Sequence, residues 1–258
     1  MRYFIELSYH GKNYHGWQMQ PNAKSIQEVL EHSLSLLLKE SISVIGCGRT
    51  DAGVHASQFF LHFDMDDVLN ESQLKFKLNA FLPNDIAISQ IFLVDKDAHA
   101  RFDASYRSYE YRISLVKDPF LEGVSWQMKY DDLDIPKMND AAKILLEYEN
   151  FKCFSRSKTD VKTYNCTINN AVWKKRENLL VFYITANRFL RNMVRAIVGT
   201  LLEVGKNNLS LEEFRDIIKG QDRTKAGASV KAMGLFLTEV GYPDKIIKKR
   251  NDGTKEQK

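Results

Sequence analysis

The stretch ISVIGCGRTDAGVHASQFFLHFD, Ile42 to Asp64, decides the fold. ISVIGC is strand-like, and HASQFFLHFD, with its aromatic and polar positions, predicts a second strand. Between them lies a short glycine-bearing loop centred on Asp51. Gly48 and Gly53 permit positive φ, so that the chain can turn sharply on both sides of the carboxylate. Ala52 is small enough to let a partner approach closely. Taken alone, an aspartate in such a turn commonly accepts hydrogen bonds from its own backbone.

Working outward, RYFIELSY (residues 2–9) alternates in the manner of a half-buried strand. Ser25-Ile26-Gln27-Glu28 has the form of a capping box, and Val29, Leu30, Leu34, Leu37 and Leu38 follow at helical spacing. A helix from about Asn70 to Leu82 and a strand from Ile86 to Val94 complete a βαββαβ order. The second half starts with the alternating RSYEYRISLV (107–116) and a helix from Pro136 to about Tyr148. A hairpin follows, TYNCTINNAVW and NLLVFYITA, with KKRE as its charged turn. Helices at about Arg188–Val204 and Ser210–Lys219 and a last strand, MGLFLTEV, give βαββααβ.

Two split βαβ units in succession predict an α+β fold of two ferredoxin-like halves. They are expected to join into one mainly antiparallel sheet with helices on one face and an active-site cleft between the halves. The expected division is 1–104, carrying the Asp51 loop, and 105–245, with 246–258 as a basic flexible tail. Asp51 then falls in a loop at the rim of a rigid sheet, where chemistry usually sits.

Composition narrows the functional classes. The three cysteines, Cys47, Cys153 and Cys166, form no CxxC pair, and the six histidines lack metal-ligand spacing. Neither a disulfide framework nor a metal site is therefore expected. Nothing approaches the roughly 20 apolar residues of a membrane span, and MRYFIELSYH is unlike a signal peptide, so a cytoplasmic protein is expected. A net charge of +4 tilts only gently toward a polyanionic partner.

Three further stretches bear on chemistry. YHGKNYHGWQMQP (9–21) mixes aromatics, glycines and amides without amphipathic period. HARFDASYRSYEYRI (99–113) gathers Arg101, Arg107, Tyr106, Tyr109 and Tyr111. NRFLRNMVRAIVGTLLEVG (187–205) predicts a helix with Phe189, Met193, Ile197 and Leu201 as a core stripe and Arg191 and Arg195 on another face. In that order, together with GRTDAGVHA, FLPNDIAI and DRTKAGASVKAMGLFL, these stretches resemble the TruA-type tRNA pseudouridine synthases over nearly the whole chain. The chain departs from the family pattern at Tyr9-His10-Gly11, where YDG is usual, and at Ser229-Val230-Lys231-Ala232, where TAPA is closer to the norm.

The resemblance implies a cofactor-free isomerisation of uridine to pseudouridine in the tRNA anticodon arm, at positions 38 to 40, by a homodimer. It places the nucleophile at Asp51. Attack at ribose C1′, deprotonation of C2′ to a glycal, and addition to C6 of the base are all open to that carboxylate. Each needs it ionised inside a pocket, and a neighbouring cation offsets the desolvation. The family pattern gives this role to Arg195, with Arg191 as competitor. Tyr109 is expected to stack on the target base, a contact worth roughly 1–3 kcal/mol. Proton abstraction is the bolder role, since a phenol titrating near 10 is ionised in only about one molecule per thousand at pH 7. Tyr111 has base contact and sheet packing as equal contenders. Arg49 is expected to fill the gap, or hold the phosphate, when the nucleotide is flipped out.

Two rival classes are an RNA-binding module that has lost catalysis and a relative acting on another RNA. The first would show a substitution at Asp51, Tyr109 or Arg195, and none is present. A metal-free hydrolase would need a second carboxylate as acid or base, and no motif supplies one.

Overall fold

A computed structural model describes residues 1–128, 132–156 and 161–246. The chain forms two compact units, Met1–Ser105 together with the residues from Leu237 on, and Tyr106–Phe236. This differs from the expected division in one respect: the chain returns to the first unit within its last strand. The expected basic tail lies, after Ile246, outside the described residues.

In the first unit, β1 (Arg2–Tyr9) pairs antiparallel with both β3 (His55–Asp64) and β4 (Ile86–Val94). The short β2 (Ile45–Gly46) also lies on β3. ISVIGC is thus a strand only at its centre. From Leu237 on, β9 (Leu235–Gly241) lies beside β3, its Val240 N–H donating to Gln58. Helix α1 (Ile26–Leu38) begins at the predicted capping box, with Ser25 and Glu28 each accepting from the other's backbone N–H. It buries Ile26, Leu30 and Leu34, while α2 (Glu71–Phe81) buries Leu74 and Leu78. Aromatic rings of β1 and β3 meet, Tyr3 against its register partner Phe63 and Tyr9 against Phe59, which itself pairs with Leu7.

In the second unit, β5 (Tyr106–Ser114), β8 (Leu179–Ala186) and β7 (Ile168–Arg176) form an antiparallel sheet in that order. A two-residue strand absent from the sequence reading, β6 (Trp126–Gln127), runs parallel to β5. Helices α3 (Ile135–Ile144), α4 (Met193–Gly205) and α5 (Leu211–Gly220) complete it. The α+β class with mainly antiparallel sheet is as expected.

Two local expectations need correction. Lys174, Lys175 and Arg176 belong to β7 and pair with Val181, Leu180 and Leu179, so the hairpin turns at Glu177 and Asn178, with Glu177 left-handed at φ 51°. All three are solvent-exposed at the end of the strand, and that exposure, rather than a turn, accounts for the charges. Helix α4 starts at Met193 and not near Arg188, because Asn192 is left-handed (φ 65°) and stops helical continuation toward the N-terminus. Met193, Ile197 and Leu201 keep their core stripe; Phe189 and Arg191 precede the helix, so Arg191 and Arg195 do not share a helical face.

His55 and His62 lie seven residues apart on β3, both buried. His62 accepts the Ala100 N–H through Nδ1, and its ring packs on His99. Burial, reinforced by Arg2, lowers its pKa from 6.5 to about 4, and His99 is also lowered, chiefly by burial. Between these limits the unfolded chain binds more protons than the native one. Stability should therefore be intact above about pH 6.5 and fall, by on the order of 3 kcal/mol for His62, as pH drops toward 4. Urea titrations across this window should show the slope, and His62→Asn should flatten it; equal slopes in both proteins would contradict the assignment.

Candidate active site

Asp51 is half-buried in the loop joining β2 to β3. What fixes this loop is the aperiodic segment after β1. Trp17 donates its N–H to the Thr50 carbonyl (3.1 Å), and Gly53 donates to the Tyr14 carbonyl (3.2 Å). The Tyr9 and Thr50 hydroxyls share a buried hydrogen bond of 2.8 Å. At the far end of the loop, Gly11 donates to His55 Nδ1 (3.0 Å). The loop closes on itself through Val54 N–H to the Asp51 carbonyl (3.1 Å).

The clamp is in turn anchored on rigid elements. Gly16 and Trp17 give their carbonyls to the Ile26 and Gln27 N–H groups, which the first turn of α1 would otherwise leave unpaired. Tyr14 and Asn13 both donate to Asp85, just ahead of β4, and Trp17 stacks on Phe59 at 4.1 Å.

The glycines that matter are only partly those the sequence pointed to. Gly53 has a positive φ, 77°. Gly48 does not, and nothing lies within 4 Å of where a Cβ would stand. The close approaches fall across the clamp: a Cβ on Gly11 would meet the Val54 carbonyl oxygen at 2.0 Å. At Gly16, φ is +91° and a Cβ would meet the Thr50 oxygen at 2.4 Å. The glycines of YHGKNYHGW are the visible trace of this in the sequence, but the contact that requires them is tertiary. Arg49, two residues before Asp51, is exposed.

The remaining expected site residues belong to the second unit. Tyr109, half-buried on β5, meets the ring of Phe189 edge-on, with centroids 5.1 Å apart and planes at 86°. Phe189 thus supports Tyr109 instead of extending the α4 stripe. Tyr111, on the same strand face, is 0% exposed and donates its hydroxyl to the Lys231 carbonyl at 2.8 Å. Burial pushes its phenol pKa up. Of the two roles open to Tyr111, this burial supports packing.

Arg195 is half-buried in the first turn of α4. Its Nε donates to the Val230 carbonyl (2.7 Å), and Val230 N–H returns to the Arg195 carbonyl (3.2 Å). Arg191 is exposed in the turn just before α4, where its carbonyl accepts the Arg156 N–H. A backbone carbonyl thus holds the Arg195 side chain at Nε.

All three cysteines are buried thiols; burial pushes Cys153 up to about 12 and Cys166 up to about 11, which makes these two poor nucleophiles. Among the described residues no cluster of three or more His, Cys, Asp or Glu is placed to hold a metal ion, and no helix is long and apolar enough to cross a membrane.

A family model described as tRNA pseudouridine synthase matches residues 7–103 and 141–243. A tRNA pseudouridine synthase A of Bacteroides thetaiotaomicron is 52% identical over 249 residues, covering 95% of this chain and 92% of that protein. A protein of the same name from Parabacteroides distasonis is 48% identical over 247 residues, covering 95% and 98%. One from Limosilactobacillus reuteri is 38% identical over 248 residues, covering 93% and 96%.

Proposed function

From the premise that this chain belongs to the tRNA pseudouridine synthase family, and so is an isomerase acting on tRNA, we propose that its targets are uridines 38 to 40 of the anticodon arm. In this reaction the N1–C1′ bond of the uridine breaks and the detached base turns. A C5–C1′ bond then forms, the proton leaves C5, and N1 ends protonated. Asp51 is the nucleophile. The observation that carries this reading is the clamp: a half-buried carboxylate is held on a loop whose neighbours Thr50 and Gly53 are both tied by backbone hydrogen bonds to residues 14–17. Catalytic groups need such pre-organisation, since a displacement of about 1 Å can cost on the order of 100-fold.

Arg195 is the catalytic cation, and Tyr109, buttressed by Phe189, supplies a ring for the base to stack on. Proton removal from C5 by Tyr109 is the secondary role. A stacked uridine cannot be reached in place, so the nucleotide is flipped out, at a cost of about a few kcal/mol. The exposed Arg49 takes the vacated space or the phosphate. The enzyme acts as a cytoplasmic homodimer with each tRNA spanning both subunits, and Asp51 and the pair Tyr109 and Arg195 come from two ferredoxin-like halves.

The test is to incubate the protein with unmodified tRNAs and map pseudouridine by carbodiimide adducts and reverse-transcription stops. Stops confined to positions 38 to 40 are expected. Modification confined to another arm, or none with tRNA still bound, would overturn the reading.

A further inference from the structure

The segment from Arg223 to Lys231 has no regular secondary structure, yet Gly227, Ala228 and Val230 each meet α4 and Ser229 meets the residue before it. Gly227 N–H donates to Thr200 Oγ1 (2.9 Å), whose own proton goes to the Ala196 carbonyl. A Cβ on Gly199 would stand 1.8 Å from the Ala228 oxygen, so helix and segment touch backbone to backbone. Arg223 organises the segment from within. Its Nη1 donates to the Ala226 and Gly227 carbonyls (3.3 and 3.1 Å), and its Nη2 to Ser229 Oγ (2.9 Å). Ser229 Oγ also accepts from the Asn192 amide (2.5 Å), the left-handed residue just before α4.

The next residue is Val230, and both polar groups of its backbone go to Arg195, the N–H to its carbonyl and the carbonyl to its Nε. Lys231 then accepts from Tyr111 of β5. A planar guanidinium held at Nε has its plane set, and with it the direction in which its Nη fork meets an anion. We propose that Arg223 and Ser229 are positioning residues for Arg195, acting through the Val230 carbonyl. The inference rests on the catalytic reading of Arg195 given above.

The variants are Ser229→Ala, which removes one oxygen, Ser229→Thr, which restores a hydroxyl, and Arg223→Lys, which keeps the charge and cannot span three acceptors. Each is made alone and combined with Arg195→Ala, and single-turnover rate, tRNA affinity and melting temperature are measured. Ser229→Ala and Arg223→Lys should each lower the rate on the order of tenfold, with tRNA affinity within about twofold of wild type. Ser229→Thr should recover most of the rate. In the Arg195→Ala background the same substitutions should have no further effect on rate, because the group they position is gone. An equal loss in both backgrounds would make the bracket merely structural and overturn the proposal. So would a wild-type rate for Ser229→Ala and Arg223→Lys while Arg195→Ala is crippled. A wild-type rate for Arg195→Ala itself would instead remove the catalytic reading of Arg195, and the positioning role with it.

Discussion

Asp51→Asn is expected to bind unmodified tRNA within a few-fold of wild type and to lose turnover by on the order of 10⁴-fold or more. The substitution exchanges one carboxylate oxygen for an amide nitrogen and leaves the volume of the side chain almost unchanged. The loop is tied through the Thr50 carbonyl and hydroxyl, the Gly53 N–H and the Asp51 carbonyl, and asparagine keeps all four of these. What is lost is the anion. Filter binding, thermal melting and single-turnover kinetics on the same preparation separate these effects. A drop in affinity as large as the drop in rate would make Asp51 a binding residue.

Gly11→Ala should be the most damaging single methyl group in the first unit. Its Cβ would stand 2.0 Å from the Val54 oxygen and 2.6 Å from the Val54 carbonyl carbon. These are backbone atoms at the end of the Asp51 loop, so a side-chain rotation cannot relieve the clash. Either the loop moves away or the 3-10 turn Gly11–Asn13 does, and both would strain the Gly11 N–H bond to His55. Overpacking of this kind costs about 1–3 kcal/mol in stability. Activity should fall further than stability alone explains, by about 100-fold, because the loop that moves carries the nucleophile. Gly48→Ala is the matched control, since no atom lies within 4 Å of its Cβ position. Equal melting temperatures and rates for Gly11→Ala and wild type would refute the clamp.

How much of this was legible beforehand depended on the range of the interaction involved. The Ser25–Glu28 capping box and the core stripe Met193, Ile197 and Leu201 rest on neighbours within a turn or two, and the structure has them where the spacing put them; β1 is a strand as read, but Tyr3 to Leu7 are all buried and show no half-buried alternation. The start of α4 was missed because Asn192 is stabilised in its left-handed conformation by Ser229, 37 residues away. Charged Lys174-Lys175-Arg176 looked like a turn because nothing local shows that they pair with β8. At the site, Asp51 and its glycine at position 53 stood out, yet the roles of Gly11, Gly16 and Thr50 become visible only once the two segments lie against each other. Tyr109 and Tyr111 looked equivalent from strand alternation. Their burial separates them, one half-buried against Phe189 and the other sealed in the core.

The central claim is isomerisation of uridine in the anticodon arm by this protein without help from another. The measurement that tests it most directly is tritium release from C5 of labelled uridine in an unmodified tRNA bearing uridine at one of positions 38 to 40. The same tRNA with cytidine at those positions runs beside it. The expected result is one equivalent of tritium per target uridine from the first tRNA and none from the second. Release from both alike, or from neither, would contradict it.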